Sequence, residues 1–138
     1  MAENIRRVDY YYTTVADKPG EAGHILDTLR QAGVDLIAFS GFPEGARRAQ
    51  LDFIPKDSAA FAKAAKKAGL KLSAKKTGFL IQGDDRPGAL ADLTGKLSSL
   101  GINITAVDAV CSGDGKYGAL LWVKAPDVRQ AAKALGAE

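Results

Sequence analysis

Asp17-Lys18-Pro19-Gly20 and Asp85-Arg86-Pro87-Gly88 are the segments of this sequence best suited to hold a small anion. In both, a turn-forming Pro-Gly pair stands immediately before an apolar-periodic run. A helix that opens there presents unpaired backbone N–H groups and a partial positive charge, which suit a carboxylate. Gly20 and Gly88 lack a Cβ and let a ligand approach the backbone closely. Downstream of each loop a second polar group follows a glycine: Asp35 after Gly33, and Asn103 after Gly101. The Asn103 amide both donates and accepts, matching the ammonium and carboxylate of an α-amino acid. An ionised Asp35 only accepts and favours the ammonium.

Other reactive residues offer less. His24 is the single histidine, so a Ser-His-Asp arrangement could only be built around it, and a histidine-based metal site is not expected. Cys111 is the single cysteine, which excludes an intramolecular disulfide; it reads as a small strand-end residue, not a nucleophile. Asp84 and Asp85 adjoin, but neighbours in an extended segment point to opposite sides. There is no phosphate loop ending in Gly-Lys-Ser/Thr. Gly113-Asp114-Gly115 lacks the spaced acids of a calcium loop. No enzymatic activity, cofactor or metal is therefore expected.

The elements that must carry these loops form a repeat. At the offset that aligns the two Asp-X-Pro-Gly segments, Leu29 meets Leu97, Gly33 meets Gly101, Asp35 meets Asn103 and Ala38 meets Ala106, with no gap. Each copy begins with a β-rich run, Val8 to Val15 in the first. Ala22, Ile25, Leu26 and Leu29, and Leu90, Leu93, Leu97 and Leu100, then recur at helical spacing. Gly33 and Gly101 end these helices. Val34 to Ser40 and Ile102 to Val110 read as second strands. Gly-rich turns at 41–45 and 112–115 lead to third strands with alternating apolar residues, Ala49, Leu51 and Phe53, and Tyr117, Ala119, Leu121 and Val123. Asp57 and Asp127 signal second helices ending near Ala68 and Leu135. Leu70 to Lys76 supplies a fourth strand for the first copy. The second copy has no such segment, so its last strand is missing or supplied from elsewhere. The order β-α-β-β-α-β describes an α+β, ferredoxin-like unit with both helices on one face of an antiparallel sheet.

Asp85-Arg86-Pro87-Gly88-Ala89-Leu90, the Leu-spaced helix and Leu100-Gly101-Ile102-Asn103-Ile104 together resemble the ACT domain, a small amino-acid-sensing regulatory module. The first copy, with Asp17-Lys18-Pro19-Gly20 and Ala32-Gly33-Val34-Asp35-Leu36, resembles it more loosely. The resemblance spans nearly the whole chain, as one domain over residues 1–74 and another over 75–138, and leaves no room for a catalytic domain. It implies two units side by side in one extended antiparallel sheet, with helices on one face. It also implies effector binding at the seam between them. Carried over residue by residue, the site comprises Asp17, Lys18, Pro19, Gly20, Glu21 and Ala22 and the corresponding Asp85, Arg86, Pro87, Gly88, Ala89 and Leu90. Asp35, Leu36, Asn103 and Ile104 face these loops across the seam. The resulting expectation is a non-enzymatic sensor of an amino acid or similar small carboxylate, passing its state to an enzyme or regulator. With the last strand missing, Gly78 to Gln82 should be an unpaired edge, which predicts a homodimer.

Composition bounds the alternatives. The chain has 138 residues, 46% hydrophobic and 25% charged, with a formal charge of +3. Such a composition is that of a globular protein. With no long apolar run, neither a signal peptide nor a membrane span is expected, and the cytoplasm is the expected location. The basic bias lies largely in Lys56, Lys63, Lys66, Lys67, Lys71, Lys75 and Lys76. RNA binding is the rival for a ferredoxin-like fold, since Lys116 to Val123 partly mimics an RNA-recognition strand. Leu120, however, stands where a stacking aromatic belongs, so nucleic acid is not an expected partner. A third reading is a ligand-free interaction module.

Overall fold

The computed structural model describes residues 3–137. Eleven elements follow in order: β1 (Asn4–Ala16), α1 (Glu21–Gln31), β2 (Leu36–Pro43), β3 (Arg48–Pro55), α2 (Ser58–Lys67), β4 (Lys76–Asp84), α3 (Ala89–Ser99), β5 (Ile104–Cys111), β6 (Lys116–Val123), a 3-10 turn (Ala125–Asp127) and α4 (Val128–Leu135). The class is α+β with antiparallel pairing, as the repeat predicts. The chain divides into two compact units. One comprises residues 9–76; the other comprises residues 77–137 together with 3–8.

In the 9–76 unit, β3 lies between β2 and β1, antiparallel to both. Alternation places Tyr11 of β1 and Leu51 and Phe53 of β3 on the side that carries α1 and α2. There they pack with Ile25, Leu29 and Phe61 as one core. The Phe61 ring lies tilted against those of Tyr11 and Phe53, with centroids 5.2 and 5.4 Å away. Asp57 caps α2: its carboxylate accepts from the Ala60 N–H at 3.0 Å, as its sequence position predicts. The expected fourth strand is only partly realised. Residues 71–75 are not in strand, yet the Ser73 N–H donates to the Tyr12 carbonyl at 2.8 Å. The Thr13 hydroxyl donates to the Lys71 carbonyl at 2.8 Å. The return bond, from the Tyr12 N–H, goes to the Ser73 hydroxyl and not to a carbonyl, so a side chain interrupts the ladder.

In the other unit, β6 lies between β4 and β5. Phe79 and Ile81 of β4, and Tyr117, Ala119, Leu121 and Val123 of β6, pack against Leu93 and Leu97 of α3 and Ala131, Ala132 and Leu135 of α4. Gly101 takes a φ of 72°, the left-handed turn expected after α3. Asp127 caps no helix through its side chain; it ends the 3-10 turn that leads into α4. No strand follows α4 among the described residues. The position is filled differently from the expectation. β1 neighbours β4 on the side away from β6, Asn4–Val8 belong to this unit, and Ile5 packs on its core. Gly78 to Gln82 is therefore not an edge. The expected unpaired edge there is corrected by the start of β1, which begins four residues earlier than the Val8 start read from composition. The unpaired edge of this unit is β5, which has β6 as its one strand neighbour among the described residues.

Candidate functional site

Both Asp-X-Pro-Gly loops fold alike. Gly20 has φ 93° and Gly88 φ 72°, left-handed values that an L side chain adopts at a cost. Each is the residue before its helix, and neither α1 nor α3 has a side-chain cap, whereas α2 is capped by Asp57. The first-turn amides of α1 and α3 thus have no side-chain acceptor at the N-cap, and an exogenous anion can take that place.

Their surroundings differ. A cavity of about 330 Å3 opens beside the second loop, walled by Asp85, Arg86, Gly88, Ala89, Leu90 and Ala91 on one side and by Ala109, Val110, Cys111 and Tyr117 on the other. The volume falls at the low end for small-molecule sites. Pro87 is exposed in the same loop. The Arg86 guanidinium donates to the Asp92 carboxylate at 3.0 Å and lies 3.6 Å from Glu3, which hold it at the cavity rim. Those acids raise its already high pKa, the Asp92 hydrogen bond most strongly. The Cys111 thiol is pushed up by desolvation and by the Asp85 carboxylate beside it. Held protonated in this way, it is a poor nucleophile at neutral pH.

In the first copy, Asp17, Lys18, Pro19 and Gly20 are exposed and Glu21 and Ala22 half-buried. The Asp17 N–H donates to the Arg47 carbonyl at 2.9 Å, and Lys18 lies 3.8 Å from Glu21. His24 is exposed on α1.

The remaining predicted residues lie elsewhere in their units. Along β5 and β6, Cys111 stands opposite Tyr117 at the loop end, while Ile104 stands opposite Val123. Seven strand steps separate the two ends, about 23 Å. Asn103 and Ile104 are thus at the far end of β5 from Asp85–Leu90. The same holds in the other unit, where Leu36 pairs with Pro55 and Ala16 with Arg48. Asp35 is bound to Lys56 at 2.9 Å, and that bond holds its carboxyl below the usual range. No single unit unites a loop with its own second-strand start. The residues that do meet the second loop, Ala109 to Cys111 and Tyr117, were missed. The signal was available in principle: the β-α-β unit runs β4 and β5 parallel, so their carboxyl ends share one side of the sheet.

Three comparisons bear on this geometry. Residues 79–137 match the model of the ACT domain family. No curated protein matches the sequence. Among solved structures, the chain is similar to protein BT0572 from Bacteroides thetaiotaomicron, with a TM-score of 0.81 at 20% identity, covering 96% of this chain and 88% of that one. It is also similar to the ligand-free regulatory subunit of aspartate kinase from Thermus thermophilus, with a TM-score of 0.67 at 17% identity, covering 99% and 95%. The regulatory subunit of aspartate kinase from Thermus flavus matches with a TM-score of 0.62 at 19% identity, covering 98% and 94%. At these identities the likeness establishes the shared fold.

Proposed function

We propose that this chain is a non-catalytic regulatory protein that binds an amino acid, or a similar small carboxylate, at an interface between two ACT units. ACT domains are regulatory amino-acid-binding modules, and the match over residues 79–137 covers the second loop and its helix. The observation that carries the reading is the cavity beside Asp85–Ala91. It joins an α3 start that has no side-chain cap to space for a small molecule. The ligand's carboxylate sits at the α3 N-terminus. Its ammonium meets an acceptor such as Asp85, or Asn103 or Asp35 from a different unit.

The Asp17–Ala22 loop is the second, weaker site, completed by Leu36 or Ile104 from another unit. Regulation follows only if the ligand binds one inter-unit geometry more tightly than another; equal affinity would shift nothing. The bound geometry is then read by an enzyme or regulator in the cytoplasm. No helix among the described residues is long and apolar enough to cross a membrane.

A homodimer belongs to the same proposal, now through β5 and not through Gly78–Gln82. β5 offers a free backbone edge, and Val107 and Val110 on it are 39% and 71% exposed. It carries no Lys or Pro of the kind that protects edges. The same edge favours a second reading, a ligand-free interaction module. A thermal-shift screen with the proteinogenic amino acids separates the two. A ligand at 100 times its Kd adds about 2.7 kcal/mol of stability. No shift with any amino acid would leave the interaction module standing and remove the sensor.

A further inference from the structure

A second cavity, of about 580 Å3, lies apart from the one beside α3. It lies at the same end of the 77–137 unit but on the opposite face of the sheet. Tyr117, Ala119 and Leu121 point into the helix-covered core, so Lys116, Gly118 and Leu120 point the other way. Across the strands, Gly118 stands between Gln82 and Val110, and Lys116 stands opposite Asp84. Those same residues line the cavity, with Asn4, Ser112 and Asp114 at its rim.

The floor is the bare backbone of Gly118. Its φ is not in the left-handed region, so the conformation does not demand glycine. A Cβ placed there would meet only the Ile81 carbonyl oxygen, at 4.0 Å, an ordinary contact. The missing side chain therefore serves neither backbone geometry nor packing; what it leaves is the depression.

The polar lining is partly unspent. Lys116 is bound to Asp84, which lowers the Asp84 carboxyl below its usual range. Asp114 uses Oδ1 to accept from the Ser112 hydroxyl at 3.2 Å and the Lys116 N–H at 3.1 Å. Its Oδ2 makes no hydrogen bond among the described residues, and neither do the side-chain amides of Asn4 and Gln82. Among the lining side chains, the carboxylates of Asp84 and Asp114 stand against the one ammonium of Lys116, beside the exposed apolar wall of Val110.

We propose that this depression over Gly118 is a second small-molecule site, which takes a compact organic ammonium compound. The cation neutralises Asp114, the amides of Asn4 and Gln82 bond its polar substituents, and its carbon chain lies on Gly118 against Val110. The site includes no helix N-terminus, and it shares only Val110 and Tyr117 with the lining of the α3-side cavity.

The test is a titration of the full chain followed by backbone amide NMR, with n-butylammonium and, as the isosteric anion, n-butyrate. Saturable shifts at Gln82, Val110, Gly118 and Lys116 with butylammonium, and none there with butyrate, are expected. Gly118→Val, which fills the floor with a strand-favouring side chain, should weaken butylammonium at least tenfold. Asp114→Asn should do so while leaving the spectrum otherwise native, and it keeps the test decisive if the valine variant does not fold. Absence of saturation by butylammonium, unchanged affinity in Asp114→Asn, or preferential binding of butyrate would overturn the proposal. Val110 lines both cavities, so Gln82, Gly118 and Lys116 are the reporters that separate this site from the amino-acid site, whose responses would fall on residues 86–91 and 109–111.

Discussion

The two Asp-X-Pro-Gly loops share a backbone but not an environment. Gly20 and Gly88 both take left-handed φ values before helices that lack side-chain caps. Around the second loop, small residues at the end of β5, Ala109 and Cys111, leave a cavity of about 330 Å3. At the matching positions of β2 the first copy has Gly41 and Pro43, followed by a loop whose Arg47 carbonyl is bonded to Asp17. Local sequence therefore sets the shape of the helix start, and the neighbouring strand end sets what lies beside it.

The sharpest way to break the symmetry of the copies is through their cores. Leu29 and Leu97 occupy matched positions and are 2% and 0% exposed. Leu29→Ala and Leu97→Ala should each cost about 2–5 kcal/mol, measured as a shift in urea midpoint. Similar losses would support equivalent packing of the copies; a loss confined to one would show that only that copy holds the cooperative core.

Next come the glycines. Nothing approaches a Cβ at Gly20 within 4 Å, and only the Ala91 Cβ, at 3.9 Å, does so at Gly88, so the penalty for Gly→Ala is conformational at both. Gly20→Ala and Gly88→Ala should each cost about 1–2 kcal/mol. They should differ in function: only Gly88→Ala should abolish the amino-acid response in the thermal-shift assay.

The smallest effect is expected from the ion pairs, Asp35 with Lys56 in one unit and Asp84 with Lys116 in the other. Both carboxyls have folded pKa values lowered by their lysine partners. Their contribution is present above the usual carboxylate range, about 3.8, and is lost as pH falls through the lowered folded values. Asp35→Asn and Asp84→Asn should each lower stability slightly at pH 7, converge with the parent near pH 2, and so flatten the decline between pH 5 and 2, followed by urea denaturation. Both groups are solvent-facing, so an equal acid slope in variant and parent would mean that the pairs contribute nothing measurable.

Much of this was legible in the sequence. The repeat, the Pro-Gly helix starts, the Gly33 and Gly101 helix ends and the Asp57 cap follow from local chemistry, which a linear reading captures. Two features did not follow. The strand beside β4 comes from Asn4–Val8, far away along the chain, and nothing local in Gly78–Gln82 announces that neighbour. Ala109, Val110 and Cys111 entered the candidate site because β4 and β5 run parallel, whereas Asn103 and Ile104 fell at the opposite end of β5. Adjacency in sequence to a conspicuous glycine was a poor guide to adjacency in space.

The central claim is that an amino acid binds through the second loop. It is tested most directly by mapping backbone amide shifts while titrating the amino acid that gives the largest thermal stabilisation. Saturable shifts are expected at Arg86, Gly88 to Ala91 and Ala109 to Cys111, with weaker shifts or none at Lys18 to Ala22. Shifts centred on Lys18 to Ala22, with the Arg86–Ala91 segment unmoved, would contradict it.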